Sequence, residues 1–286
     1  MTAMTEDTTR STGSVTVLSA ALAAAKAEGR AALIGYLPAG FPTFEGGVRA
    51  LTAMLEGGCD AVEVGLPYSD PVLDGPVIQT ADTIALEGGT RTKDVLETIR
   101  RVAAGTGKPV LVMSSWNPID HYGQERFAEG LAAAGGAGAI LPELPVEESG
   151  EWRAAADARG LGTVFVVAPS SPDARLRIIG RAGSGFVYAA SVMGVTGTRT
   201  SVGAQAEDLV RRMRAATELP VCVGLGVSDA QQAAEVAAFA DGVIVGSAFV
   251  KRVLAAPDED AAVDAVRELA GELAAGVRSS LSGVAE

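Results

Sequence analysis

Eight short runs of aliphatic residues, separated by stretches of helical spacing, recur along almost the whole chain and constrain its fold more than any other feature. The runs fall at 32–37, 61–65, 109–114, 139–141, 163–167, 186–189, 221–224 and 242–245. They are dense in Val, Ile and Leu with little polar alternation, the composition of parallel strands covered on both faces. Between them, segments 44–56, 92–104, 124–133, 149–158, 204–216 and 230–238 repeat apolar residues at helical spacing, and Gly follows several where a helix must stop. Eight strands alternating with helices in 286 residues predict an α/β chain folded as one closed (β/α)8 TIM barrel, with an open doubly wound sheet as the alternative. Residues 15–28 read as an extra N-terminal amphipathic helix plugging the barrel bottom, and 258–277 as a long closing helix. No linker breaks the pattern, so the expected organisation is a barrel over 15–279, a disordered tail over 1–14 and a frayed C-terminus over 280–286.

Composition narrows the function. Hydrophobic residues make up 48% of the chain and charged residues 20%, enough to bury a large core without disulfides. Lys and Arg number 23 against 35 Asp and Glu, a net charge of −12. That balance argues against an electrostatic grip on nucleic acid or on an anionic membrane. Any phosphate must then be held locally, by backbone amides and helix ends. Cys59 and Cys222 show neither metal spacing nor a disulfide framework, which fits a reducing cytoplasm. The first fourteen residues lack the apolar core of a secretion signal, and no run of about 18 apolar residues suggests a membrane span. His121 is the single histidine, in a segment that reads as a polar loop, so Ser–His and multi-histidine metal chemistry have almost no material. None of the four lysines, Lys26, Lys93, Lys108 and Lys251, sits at the catalytic end of a strand, which disfavours a Schiff-base aldolase.

Two constellations remain. Glu63 interrupts the second apolar run between Val62 and Val64. Burial there raises a carboxyl pKa and poises it for proton transfer, unless backbone amides satisfy it as a structural group. Asp70 and Asp74 follow on the next loop, on the catalytic face of a barrel, although Asp74-Gly75-Pro76 is also ordinary turn chemistry. Farther on, Gly194-Val195-Thr196-Gly197, Gly224-Leu225-Gly226-Val227-Ser228 and Gly246-Ser247 follow the sixth, seventh and eighth runs. Glycine loops at those strand ends, with a short helix after the last, form the recurrent phosphate site of such barrels. Tyr188, ending the sixth run, lines the pocket or packs in the core, and Trp152 reads as packing.

These residues resemble the alpha subunit of tryptophan synthase over residues 16 to 275. The most specific stretch is Glu63 through Pro76. Gly35-Tyr36-Leu37-Pro38-Ala39-Gly40-Phe41-Pro42, Trp116-Asn117-Pro118 and Leu144-Pro145-Val146-Glu147-Glu148 support it. The resemblance implies retro-aldol cleavage of indole-3-glycerol phosphate to indole and glyceraldehyde 3-phosphate, without metal or organic cofactor. It implies Glu63 as general acid–base, Asp74 as its partner, Tyr36 and Tyr188 beside the substrate, and Thr196, Gly197, Gly226, Gly246 and Ser247 around the phosphate. It also implies a beta-subunit partner in a tetramer of two alpha and two beta chains. A stand-alone lyase releasing free indole for secondary metabolism is the alternative. A phosphosugar isomerase or cyclase on the same barrel, and a chain that only activates a beta subunit, are further readings. Two positions depart from the family pattern: Ser115 stands where a Tyr is usual, and Glu143 where an Asp is usual.

Overall fold

Parallel strands need crossover connections, and in this protein each one is supplied by helix. The computed structural model describes residues 15–71, 74–190, 199–224 and 226–279. The expected tail at 1–14 and frayed end at 280–286 lie outside the described residues. The strands are β1 (Ala32–Pro38), β2 (Ala61–Gly65), β3 (Val110–Met113), β4 (Gly138–Ile140), β5 (Gly162–Val164), β6 (Val166–Val167), β7 (Val187–Ala190), β8 (Val221–Gly224) and β9 (Gly242–Val245). The helices are α1 (Val15–Ala27), α2 (Phe44–Gly57), α3 (Pro76–Glu87), α4 (Thr92–Thr106), α5 (Trp116–Tyr122), α6 (Gln124–Ala133), α7 (Gly150–Asp157), α8 (Asp173–Ala182), α9 (Arg199–Arg214), α10 (Ala230–Ala237), α11 (Ser247–Ala255) and α12 (Glu259–Ser279).

The strand order is β5-β4-β3-β2-β1-β9-β8-β7-β6, parallel throughout. Its two ends, β5 and β6, are consecutive in the chain, so the ring closes through one bent strand and the barrel of eight is recovered. The bend corrects the single run expected over 163–167. Val164 O accepts from Leu141 N–H at 3.3 Å on one side, and Phe165 O accepts from Tyr188 N–H at 3.0 Å on the other. The strand thus changes partner at Phe165.

Two apolar layers follow from the period-2 alternation of each strand. Ala32, Ile34, Ala61, Leu111, Ile140, Val164, Cys222 and Ile244 form the cluster inside the barrel, and Leu18, Leu22 and Ala25 of α1 join it, closing the bottom as expected. The alternate residues, such as Val62, Val64, Val110, Val112, Val243 and Val245, pack outward against the helices. At the same end Arg30 donates to both oxygens of Asp60, at 2.7 and 2.9 Å, and Leu33 N–H donates to Asp60 at 2.8 Å.

Three further corrections concern helices. The segment holding His121 is not a loop but α5, and His121 is exposed on it. Asp74-Gly75-Pro76 is more than a turn: Pro76 is the first residue of α3, a position where its missing N–H costs nothing. α3 and α8, absent from the helices read in the sequence, complete the set.

Candidate active site

Strand periodicity decides where Glu63 points. Ala61 faces the interior cluster while Val62 and Val64 face the helices, so Glu63 projects into the barrel. It is 0% exposed, and neither carboxylate oxygen has a hydrogen-bond partner among the described residues. Burial pushes its pKa up to about 8, because a medium of low dielectric penalises the charged form. Glu63 is therefore held protonated at neutral pH, close to the point where it can give a proton and take it back.

Two tyrosines share the interior. Tyr36 of β1 is the registered partner of Glu63, and Tyr188 lies on β7. Burial raises both phenol pKa values, and nearby acidic groups add to it: Asp82, Asp74 and Glu63 around Tyr36, and Glu63, Cys222 and Asp74 around Tyr188. The rings fit because glycines stand beside them. A Cβ on Gly65 would collide with the Tyr36 hydroxyl, and one on Gly224 with that of Tyr188.

Asp74 reaches the same place from the loop after β2. Its carbonyl accepts from Gln79 Nε2 at 2.8 Å, which ties the loop to the first turn of α3. It is half-buried, and burial followed by the charge of Glu143 raises its pKa. Asp74 and Tyr36 line a narrow cleft together with Tyr68, Asp82, Ser115 and Glu143. Asp70, by contrast, is exposed and accepts from Ser69 Oγ at 2.7 Å, as a turn residue does.

The two positions that depart from the family pattern belong to one small assembly. Ser115 is the N-cap of α5. Glu143, arriving from the loop after β4, accepts from Trp116 N–H at 3.0 Å and so satisfies a free amide of that helix end. Asn117, one residue further, donates to the Tyr68 hydroxyl at 3.1 Å. The loops after β2, β3 and β4 are thereby linked by hydrogen bonds around the cleft.

Across the mouth, β8 and β9 are paired with Gly224 beside Ile244, which brings the loops that follow them together. Gly226 has a left-handed φ of +71°, a conformation that side chains resist. Gly246 caps α11, and Ser247 is its first residue. The amides of that first turn have no carbonyl of their own helix to bond, the arrangement that suits an anion. Tyr36 joins the two sides, since its ring lies against Gly246 as well as Gly65. Thr196 and Gly197 lie outside the described residues.

Asp82 is the residue that sequence reasoning missed. It is 4% exposed and sits within the buried stripe Ile78, Ala81, Asp82, Ala85 of α3. A carboxylate at an apolar position of a helix was the available signal. Trp152 proves to be packing, with its Nε1 on Thr163 Oγ1 at 3.0 Å. Lys108 donates to Leu55 O and Cys59 O, at 2.6 and 2.9 Å, remote from the strand tops. Among the described residues no cluster of three or more His, Cys, Asp or Glu could hold a metal ion, and no helix is long and apolar enough to cross a membrane.

Known proteins share this sequence and this barrel. The family model described as tryptophan synthase alpha chain matches residues 22–278. The chain is 71% identical over 266 residues to the tryptophan synthase alpha chain of Streptomyces coelicolor, covering 93% of this chain and 98% of that one. It is 72% identical over 262 residues to that of Streptomyces avermitilis, covering 92% and 95%. A solved tryptophan synthase structure from Mycobacterium tuberculosis is similar with a TM-score of 0.84 at 47% identity, covering 91% of this chain and 98% of that chain. The tryptophan synthase alpha subunit of Legionella pneumophila gives 0.81 at 32% identity, covering 94% and 99%.

Proposed function

Because the chain belongs to the tryptophan synthase alpha chain family, we propose that Glu63 and Asp74 perform its chemistry at the mouth of the barrel. The protein is a carbon–carbon lyase that cleaves indole-3-glycerol phosphate to indole and D-glyceraldehyde 3-phosphate in tryptophan biosynthesis. It works with a beta subunit in a tetramer of two alpha and two beta chains. No finding favours a stand-alone lyase. We place the enzyme in the cytoplasm, where its two free, buried cysteines stay reduced.

The observation that carries the site is the buried, unpartnered carboxyl of Glu63. The cleavage needs one group that first donates and then accepts a proton. Glu63 protonates indole C3, which becomes tetrahedral and leaves the ring an electrophilic indoleninium. The resulting carboxylate removes the proton from the adjacent glycerol hydroxyl. The C–C bond then breaks, its electrons return to the ring, and Glu63 ends protonated as it began. Asp74 accepts the indole N–H and offsets the positive charge of the indoleninium. Tyr36 and Tyr188 flank the substrate. Its phosphate rests on the amides of Gly226 and Gly246, with Ser247 beside it; local amides are what a chain of net charge −12 has to offer an anion.

An indole-release assay on the purified chain, with and without a beta subunit, tests this reading. Glu63→Gln and Asp74→Asn are each expected to lower turnover by about 10²–10⁴-fold or more while the fold survives. Near-full turnover in Glu63→Gln removes the mechanism.

A further inference from the structure

We propose that Asp82 is a positioning residue for Asp74: in the active enzyme it is a neutral carboxylic acid whose Oδ1–H is donated across the cleft, holding Asp74 as a carboxylate aimed at the indole N–H. This rests on the role given to Asp74 above.

Geometry comes first. Asp82 sits on the inner face of α3, whose N-terminus follows Asp74 by two residues, so one rigid element fixes the spacing of the two carboxyls. The Tyr68 backbone N–H lies close enough to the Asp82 carboxyl to favour its charged form. One oxygen of that carboxyl, Oδ1, is buried without a partner among the described residues. Both Asp74 and Asp82 line the same cleft. Two carboxylates sharing one desolvated space do not both ionise readily, so one keeps a proton.

The proton belongs on Asp82, the more deeply buried of the two. Burial, then the charge of Asp74, raises Asp82 to about 7 against the opposing Tyr68 N–H. The groups around it are Tyr36 of β1 and Asp74 and Tyr68 of the loop after β2. On α11, which packs against α3, Lys251 is exposed and Arg252 reaches Glu272. No Lys or Arg pairs with Asp82 among the described residues. A protonated Asp82 is therefore a buried donor, and Asp74 is the anion that acts on it. A hydrogen bond to the charged form of Asp74 favours that form, the one that can accept an indole N–H.

The test compares two variants in the complex with the beta subunit, with kcat and KM for indole-3-glycerol phosphate followed against pH. Asp82→Asn keeps an acceptor for Tyr68 N–H and supplies a permanent donor in place of Oδ1–H. Asp82→Ala supplies neither. Asp82→Ala is expected to lose about ten- to a hundredfold in kcat, with less change in KM, and Asp82→Asn to regain most of that loss. The pH profile separates positioning from mere packing. In the native enzyme both Asp82, at about 7, and Glu63, at about 8, must be protonated, so log kcat/KM falls on the alkaline side with a slope approaching about −2. In Asp82→Asn one ionisation is gone and the slope is expected to approach about −1. An Asn variant no better than Ala, or an alkaline limb identical to the native one, overturns the proposal; the second comparison decides even if Asp82→Ala does not fold. Asp74→Asn is run alongside. Full turnover there overturns the reading of Asp74 itself, whereas its loss together with equal Asn and Ala variants at position 82 overturns this inference alone.

Discussion

Asp60 and Glu63 stand three residues apart around one strand and live in opposite ways. Asp60, at the bottom of the barrel, takes two hydrogen bonds from Arg30 and one from Leu33 N–H. Glu63, deeper in the same strand, takes none and is fully buried. At the bottom of the barrel Asp60 is satisfied and α1 fills the rest; toward the top both oxygens of Glu63 and one of Asp82 are buried without a partner among the described residues. Unpaired buried groups destabilise a fold, so their concentration at one end marks where stability yields to chemistry.

The sharpest way to break that contrast is Glu63→Gln, which is expected to abolish indole release and, at alkaline pH, to raise the melting temperature. The sign follows from linkage. Glu63 has a pKa of about 8 when folded and about 4.3 when unfolded. Between those values the folded state binds the extra proton, so native stability declines as pH rises and the penalty is complete above about 8. Glutamine escapes it. Thermal melts at pH 4 and pH 9 are expected to show no gain at the first and a gain of at most a few kcal/mol at the second. A variant no more stable than native at pH 9 contradicts the cost assigned to the buried carboxyl.

Asp60→Ala tests the other half of the contrast. Arg30 has a side chain 7% exposed and would keep its contact with Glu28 and its hydrogen bond to the Ala31 carbonyl but lose both bonds to Asp60. A loss of about 3 kcal/mol in urea unfolding is expected, with kcat/KM unaffected under folding conditions; a drop in kcat/KM means that the two ends are not independent. A smaller effect belongs to Ser247→Asp, which places a like charge at the proposed phosphate seat. KM for indole-3-glycerol phosphate should rise about tenfold or more while kcat holds, and an unchanged KM moves the phosphate elsewhere. Smallest of all is Ser115→Tyr, which adds an aromatic ring at the N-cap of α5. The midpoint of a beta-subunit titration, followed by indole release, is expected to shift by a few-fold, about 1 kcal/mol; no shift in midpoint or activity clears Ser115 of any part in partner affinity.

The strands were legible because a parallel strand buried on both faces announces itself as an unbroken apolar run. The bend at Phe165 was not, since it depends on which neighbours, β4 or β7, each half of the strand meets. α3 was hidden for a local reason. Asp-Gly-Pro spells a turn, and the same Pro76 opens a helix; only packing against β1 and α11 decides between them. Missing α3 meant missing Asp82, whose oddity exists only relative to a helical stripe. Glu63 was conspicuous as a charge between valines, whereas Asp74 was picked out by resemblance, its own neighbourhood being ordinary. The glycine loops could be read as strand-end features, and the pairing of β8 with β9 sets the starts of two of them side by side.

Glycines near the cleft also act where no ligand is involved. Gly65 and Gly224 are the empty seats in which Tyr36 and Tyr188 rest. A single methyl group at either position would push a ring off its seat and into the volume meant for substrate. In a mutational scan scored by growth without tryptophan, these two positions should reject alanine about as firmly as Glu63 rejects glutamine, although neither carries a functional group. Intolerance at such a site measures the shape of the room, and a map of the chemistry drawn from intolerance alone would count two residues too many.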